Sequence, residues 1–428
     1  MASIVFVGTY EPIKCGIADY TQYLTRVSPA GKWGVLSFDL RGYGVPTSGA
    51  VADPRSVWYG IPGRTEYTAS MIMSGVRHLV PRDGGAVLWF QHEFGIFADS
   101  ARFVSMLREL DIPKVVTFHS LHFQSMETGS GLPNKERTFL ATLLPCVDAI
   151  TVFSNGVYSA VTSAFPQYRG KVYVLRHGVH SYPEVRRLSR GEAREALNDF
   201  LLHDSGLNRE SKRILRREQV LLDPSAVLIG QTGFLCPSKG TEYLWSFRDD
   251  LQRLVPGHRI VALRIGSARV ADQVEYAKRL RQAQDGRGRI LLETWLPQEK
   301  LPLAQRAFDV NYYWPVDCTQ SGVMAHALGA GAVIAGRELE GVGETLREAG
   351  QLYDGDPDCL VSKVAELLGD PEMAAVVEQN AARYANRFSW FNQARRHYEI
   401  AEGILAPVVA RGRPGEPLSV DGPSLRTA

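Results

Sequence analysis

The stretch Ile229 to Gly240, IGQTGFLCPSKG, ends an apolar strand-like run on a glycine-rich turn that carries one lysine. Such a turn suits a phosphate. Gly230 and Gly233 let the backbone bend toward an anion, Lys239 sets a point charge at the mouth beside Gly240, and TEYLWSF begins a helix whose N-terminus adds amide donors. The pattern is neither a Walker A loop nor a G-x-G-x-x-G dinucleotide loop. Glycine and lysine are also ordinary turn residues, so the same stretch would serve simply to turn a corner.

A second group of candidates lies in the first half. AVLWFQHEFGIF reads as a strand, Ala86 to Phe90, that delivers Gln91, His92 and Glu93 at its end, and KVVTFHSLHF as a strand, Lys114 to Phe118, that ends on His119 with Ser120 and His122 following. In open parallel sheets ligands collect at the carboxyl ends of strands, so two strands ending on histidine point to a shared cleft. His92 beside Glu93 also reads as a satisfied structural pair. Zinc is not expected: His119 and His122 lack the spacing and glutamate of H-E-x-x-H, and no cysteine is near in sequence. Two further helix starts are anion sites or plain caps: Gly16, after the loop that follows the strand Ser3 to Val7, and Ser321–Gly322 in VDCTQSGVMAHALGAG. In GRELEGVGETL, Glu344 is expected to open another helix, where it accepts hydroxyl hydrogen bonds or favours the helix dipole.

These residues need strands to present them, and the chain supplies strands in a regular rhythm. Buried strand-like runs alternate with helical patterns over residues 1–180 and again over 226–380, which predicts two doubly wound α/β domains with parallel sheets. Between them, residues 181–225 are polar and helical in pattern. From Glu184 to Gln219 the chain carries nine Lys/Arg against seven Asp/Glu, which predicts solvated helices in an insertion or linker. Residues 381–406 predict closing helices, and 407–428 form a Pro/Gly/Ser-rich tail without apolar periodicity that is expected to be mobile.

Composition sets the outer bounds. A chain of 428 residues with 45% apolar and 22% charged residues is an ordinary globular protein, and a formal charge of +2 exerts no global pull on nucleic acid. Five scattered cysteines fit neither a disulfide framework nor a CxxC site, as in a reducing cytoplasm. The first ten residues lack a basic segment before a long apolar one, and no run has the length of a membrane span, so contact with a membrane is expected to be peripheral at most.

Taken in order, the motifs resemble those of GT-B glycosyltransferases, specifically family 4, over about residues 1 to 405. PIKCGIADYTQYL is similar to the family's P-x-x-G-G-I loop, which implies that Gly16 lies near the donor diphosphate. VVTFHS resembles the strand that carries the family's first-domain histidine, which implies that His119 sits near the transferred sugar. QHEFGIF looks like an acceptor-side or hinge-facing segment, His177-Gly178-Val179 matches the H-G-V at the start of the donor domain, and FSWFNQARRHYEI resembles the terminal helix that returns across the first domain. GFLCPSKG matches G-R-x-x-x-x-K-G through Gly233, Lys239 and Gly240, with Phe234 in place of the arginine. The family's paired glutamates fall at Cys318 and His326, neither acidic, and Glu344 shares at most part of the ribose or sugar contact.

The resemblance implies two Rossmann-like domains facing across a cleft. It implies transfer of a sugar from a nucleoside diphosphate sugar to an acceptor hydroxyl on a glycan, a lipid-linked acceptor or a small molecule, with retention of configuration and without a metal or other cofactor. Lys239 and His119 would carry the catalysis, with His92, Glu93, Cys318 and His326 lining the sugar and acceptor cleft. Two alternatives stand beside this reading. One is a catalytically weak sugar- or nucleotide-binding subunit. The other is a phosphorylase or sugar-phosphate synthase on the same fold, for which Arg264 is the candidate for a second cationic pocket.

Overall fold

Strands that are apolar on both faces must be covered on both sides, and helices supply that cover in each half of the chain. The computed structural model describes residues 2–45, 53, 55–80, 85–268 and 270–406. The chain divides into two units, one formed by the residues up to Arg176 together with those from Phe391, the other by His177–Trp390. The tail expected to be mobile lies outside the described residues.

The first unit holds seven strands: β1 (Ser3–Val7), β2 (Trp33–Phe38), β3 (Val57–Ile61), β4 (Ala86–His92), β5 (Lys114–Phe118), β6 (Ala149–Val152) and β7 (Val172–Val174). They pair in parallel in the order β3-β2-β1-β4-β5-β6-β7. Strand order reverses between β1 and β4, so the crevice at their carboxyl ends is where such a sheet takes ligands. β4 is buried along its whole length, and its alternation sorts its side chains. Phe90 and His92 turn to a face filled by Phe97 and Phe103. Trp89 turns to the opposite face, where it meets the ring of His397 at 4.5 Å and donates from Nε1 to Thr117 Oγ1 at 2.7 Å. His397 sits on the last helix, Trp390–Leu405, and Tyr398 of that helix donates to the Lys32 carbonyl at 3.2 Å. The C-terminal helix therefore completes the first unit's core.

The second unit holds β8 (Ala226–Thr232), β9 (Arg259–Gly266), β10 (Arg289–Glu293), β11 (Val310–Tyr313), β12 (Ile334–Arg337) and β13 (Leu352–Asp354). Again all pairs are parallel, in the order β10-β9-β8-β11-β12-β13, and the reversal falls between β8 and β11. Two boundaries differ from the sequence expectation. Residues 181–225 are not a solvated linker, because helices Arg190–His203 and Arg209–Glu218 bury Ala193, Leu197, Phe200, Leu201, Ile214 and Leu215 in one core with Leu228, Val261, Leu263, Ile290 and Leu292. Arg194 is buried with them and pinned, donating from Nε to the Ala307 carbonyl at 3.0 Å and pairing with Asp309. The many charges on these helices hide a narrow apolar stripe. Residues 381–390 also belong to the second unit, where Ala381, Tyr384, Ala385 and Phe388 pack with Ala327 and Leu328.

No helix among the described residues is long and apolar enough to cross a membrane. All five cysteines are free thiols.

Two histidines in the first unit's interior make its stability depend on pH. Burial pushes His92 down to about 3 and His397 down to about 4, whereas in an unfolded chain histidine titrates near about 6.5. Below that value the unfolded state binds protons that the folded state refuses, so stability is full at neutral pH and falls as pH drops from about 6.5 toward 4. Each histidine adds a slope of up to about 1.4 kcal/mol per pH unit in that window. Urea midpoints measured between pH 7.5 and 4.5 check this, and the slope should be shallower in a His92→Phe variant.

Candidate functional site

The carboxyl end of β8 in the second unit is built around a buried arginine. Arg264 on β9 pairs in register with Gln231 on β8, and its side chain is fully enclosed. Its five N–H donors are all used. Nε donates to Thr241 Oγ1 at 3.2 Å, one terminal nitrogen to the carbonyls of Gln231 and Ile265 at 3.1 and 2.6 Å, and the other to those of Gly233 and Phe234 at 3.0 and 2.6 Å. Burial lowers its pKa to about 10, so it remains a cation at neutral pH. The guanidinium pulls the turn after β8 inward, and two glycines make that possible. Gly233 has φ +109, and a Cβ on Gly266 would come within 2.0 Å of the Gly233 carbonyl oxygen.

Beyond the turn the chain makes a short 3-10 turn, Pro237–Lys239, and enters helix Thr241–Leu254 through Gly240. Gly240 has φ +59, and a Cβ there would lie 2.6 Å from the Trp314 carbonyl oxygen. Gln231 ties the turn shut, donating from Nε2 to the Lys239 carbonyl at 2.8 Å and accepting at Oε1 from Thr241 Oγ1 at 2.9 Å. The half-buried Lys239 holds its ammonium 5.6 Å from the centre of the Tyr313 ring, a cation over an aromatic face at the end of β11. The helix start contributes less than its sequence promises: the Thr241 amide donates to Tyr276 Oη at 3.0 Å and that of Tyr243 to the Gly240 carbonyl at 3.1 Å.

Ser321 caps helix Gly322–Gly329, accepting from the Met324 amide at 3.3 Å, and there is open space beside the Gly322 Cα. Cys318 lies nearby, its thiol donating to the Gln320 carbonyl at 3.0 Å and standing 3.4 Å from Tyr313 Oη. Burial first, and then Cys318, push the Tyr313 phenol upward, so it stays neutral. His326 is not an open cleft residue. It stacks on His180 at 4.1 Å, its Nδ1 is 2.6 Å from Tyr182 Oη, and burial holds it down to about 3. Glu344 is partly buried in the second turn of helix Glu340–Glu348 rather than at its start, since the helix begins at Glu340.

In the first unit, the carboxyl ends of β4 and β5 bring together four of the expected polar groups. His119 Nε2 is 2.7 Å from Gln91 Oε1, its amide donates to the His92 carbonyl at 3.1 Å, and its ring rests edge-on against Tyr20 and Phe153. Ser120 donates to Glu93 at 2.5 Å. His122 is oriented by buried Glu136, which takes both its Nδ1 at 2.7 Å and its amide at 2.9 Å. Gly16 is the first residue of helix Gly16–Val27, with open space beside it, while the cap is Cys15, whose Sγ accepts from the Ala18 amide at 3.3 Å.

His92 is the clear correction. It is buried among Phe94, Phe97, Phe103, Phe118 and Phe139, and neither ring nitrogen has a hydrogen-bond partner. Strand parity turns it into the core and turns Gln91, its neighbour, toward His119. Arg264 is likewise no phosphate ligand, because it is enclosed and its donors are spent. Sequence reasoning named Gln91 with His92 and Glu93 but missed Gln231, Tyr313 and Glu136, whose roles depend on non-local neighbours. Among the described residues no three or more His, Cys, Asp or Glu side chains are grouped as metal ligands would be.

No family model and no curated protein matches the sequence. Solved structures do. The chain is similar to the UDP-forming α,α-trehalose-phosphate synthase from Burkholderia xenovorans, at 14% identity over 95% of this chain and 100% of that one, with a TM-score of 0.67. It is similar to that synthase in complex with glucose-6-phosphate at 14% identity, 94% and 100% coverage and a TM-score of 0.65. It is also similar to Anabaena Alr3699/HepE in complex with UDP and glucose at 13% identity, 94% and 99% coverage and a TM-score of 0.60. At these identities the likeness is one of fold, and the fold is the two-domain α/β architecture of the GT-B class.

Because His92 gains nothing polar from its surroundings, His92→Phe should leave activity within a few-fold and hold or raise the melting temperature. An unsatisfied buried polar group costs about 1–3 kcal/mol. Scanning calorimetry and an activity assay on the same preparation check both halves of the expectation.

Proposed function

We propose that this chain is a glycosyltransferase that moves a sugar from a nucleoside diphosphate sugar to an acceptor hydroxyl, with retention of configuration. The observation that carries the reading is Lys239, held on a turn that Gln231 and Arg264 fix from beneath, at the strand-order reversal of a parallel sheet. As the bond between the sugar's anomeric carbon and the diphosphate breaks, negative charge gathers on the leaving phosphate, and a preoriented ammonium there favours the transition state. The helix starts at Gly16 and Ser321–Gly322 are the further groups we assign to the diphosphate, and Glu344 to the ribose or sugar. No metal is part of the proposal, because Lys239 supplies the counter-charge. His119, fixed by Gln91, would contact the sugar as positive charge builds at its anomeric carbon, or orient the acceptor, with Glu93 and Ser120 beside it.

The neighbours' ligands support UDP and glucose as the first donor components to try, and a sugar or sugar phosphate as the first acceptor. Membership of family 4 rests on the motif resemblance, and a reducing cytoplasm suits five free thiols. The second reading is a binding subunit, favoured by one observation: neither the Cys318 thiol nor buried His326 offers the carboxylate that the family places there. Titration calorimetry against a panel of nucleotide sugars, with detection of both hydrolysis and transfer, separates the two. Binding with no turnover over a broad acceptor panel would sink the enzyme reading.

Two variants test the assigned roles. Lys239→Ala should weaken nucleotide-sugar affinity about ten- to a hundred-fold, since a hydrogen bond to a charged group is worth about 1.5–3 kcal/mol, and should leave the melting temperature unchanged because the residue sits on a half-exposed turn. His119→Ala should lower kcat about 10²-fold or more with little change in donor affinity, the signature of a group that acts in the transition state. Turnover within a few-fold of the parent would make His119 a structural residue.

A further inference from the structure

The enclosed guanidinium of Arg264 has no carboxylate ion-paired to it among the described residues. Its environment is four backbone carbonyls and one hydroxyl, from Gln231, Gly233, Phe234, Ile265 and Thr241. The acids nearby are engaged elsewhere: Glu242 accepts from Tyr276 Oη at 2.5 Å, and Glu293 pairs with Arg281 at 2.7 Å. Carbonyls solvate a buried cation but leave its net charge in place, and in a medium of low polarity that charge is felt across the loop. Drawing the Gly233 carbonyl inward also turns the positive end of that peptide unit, the Phe234 N–H, away from Arg264, whereas the Leu235 N–H of the next unit is spent on the Ser267 carbonyl at 3.0 Å.

We infer that Arg264 is a positioning residue for anions: its unpaired charge, transmitted through the Gly233–Phe234 turn, sets the affinity of the Lys239 loop for a diphosphate that it never touches. This rests on the reading of that loop as the donor diphosphate site. It accounts for a feature that folding alone leaves costly, since an apolar residue at position 264 with a differently bonded turn would avoid the desolvation of a full charge. A bound diphosphate would be the missing counter-ion.

The test separates charge from bonding. Affinities for UDP and for inorganic pyrophosphate are measured by calorimetry on the parent chain and on Arg264→Lys, Arg264→Gln, Thr241→Asp and Thr241→Asn. Arg264→Lys keeps the charge and loses the fork. Thr241→Asp places a carboxylate against the guanidinium and neutralises it without removing any of its carbonyl bonds, at the cost of the donation to Gln231 Oε1, while Thr241→Asn controls for shape and, with the Arg264 pair, isolates the charge. Thr241 is itself fully buried, and a carboxylate in the first turn of a helix favours folding.

The expected result is affinity within about three-fold of the parent for Arg264→Lys and Thr241→Asn, and a loss of ten-fold or more for Arg264→Gln and Thr241→Asp, with both probes alike. Parent-like affinity in folded Thr241→Asp, or equal losses in Arg264→Lys and Arg264→Gln, would overturn the inference. So would failure of both Arg264→Gln and Thr241→Asp to fold, which would make Arg264 a folding element only. A parent chain that binds pyrophosphate yet transfers no sugar fails the enzyme reading and leaves these comparisons intact. Pyrophosphate affinity unchanged in Lys239→Ala would instead remove the loop as the anion site.

Discussion

A cation enclosed without a counter-ion is the constraint from which the loop at the carboxyl end of the second unit's sheet follows. Taking a guanidinium out of water costs several kcal/mol, and only a complete set of acceptors offsets it. Arg264 finds that set in the loop after β8, so the loop must fold back over the end of β9. That path is open only because Gly233 adopts a positive φ and Gly266 carries no Cβ. Thr241 and Gln231 then continue the same network to the Lys239 carbonyl. The position of Lys239 is thus the far end of a chain of bonds that starts in the core.

The first unit reaches a polar strand end by a different route. β4 and β5 are buried on both faces, and the side chains of β4 alternate between a phenylalanine-lined face and a face closed by the C-terminal helix. His92 and Gln91 are neighbours in sequence but lie on opposite faces. One is held neutral by rings, and the other holds His119. Residues that look equivalent as a polar triplet are divided by the pleat, and the division determines which of them is available for chemistry.

The same logic applies to the region between the two sheets in sequence. Residues 181–225 carry charge at a density that reads as solvated, yet a few apolar side chains per helix suffice to cover one face of a sheet whose strands are already continuous hydrophobic surface. Arg194 shows how such a helix tolerates a buried charge: Asp309 and the Ala307 carbonyl meet it. Amphipathicity is a property of a surface and its partner, and only half of that pair is written in the helix.

Local pattern by itself determined the alternation of strand and helix, the parallel character of both sheets, the glycine turn before Lys239 and the strand end at His119, because these depend on periodicity and on backbone freedom within a few residues. What only the tertiary structure decided was the fate of individual polar side chains. Two cations lie near one loop, and sequence offered both as phosphate ligands, but Lys239 stands on the turn while Arg264 is sealed beneath it. Three histidines were assigned to a cleft, but rings enclose His92 and His180 with Tyr182 covers His326. Burial is set by neighbours that are distant in sequence: Arg264 lies 23 to 33 residues from four of its five acceptors, and His326 lies 144 from Tyr182. No local pattern carries that information.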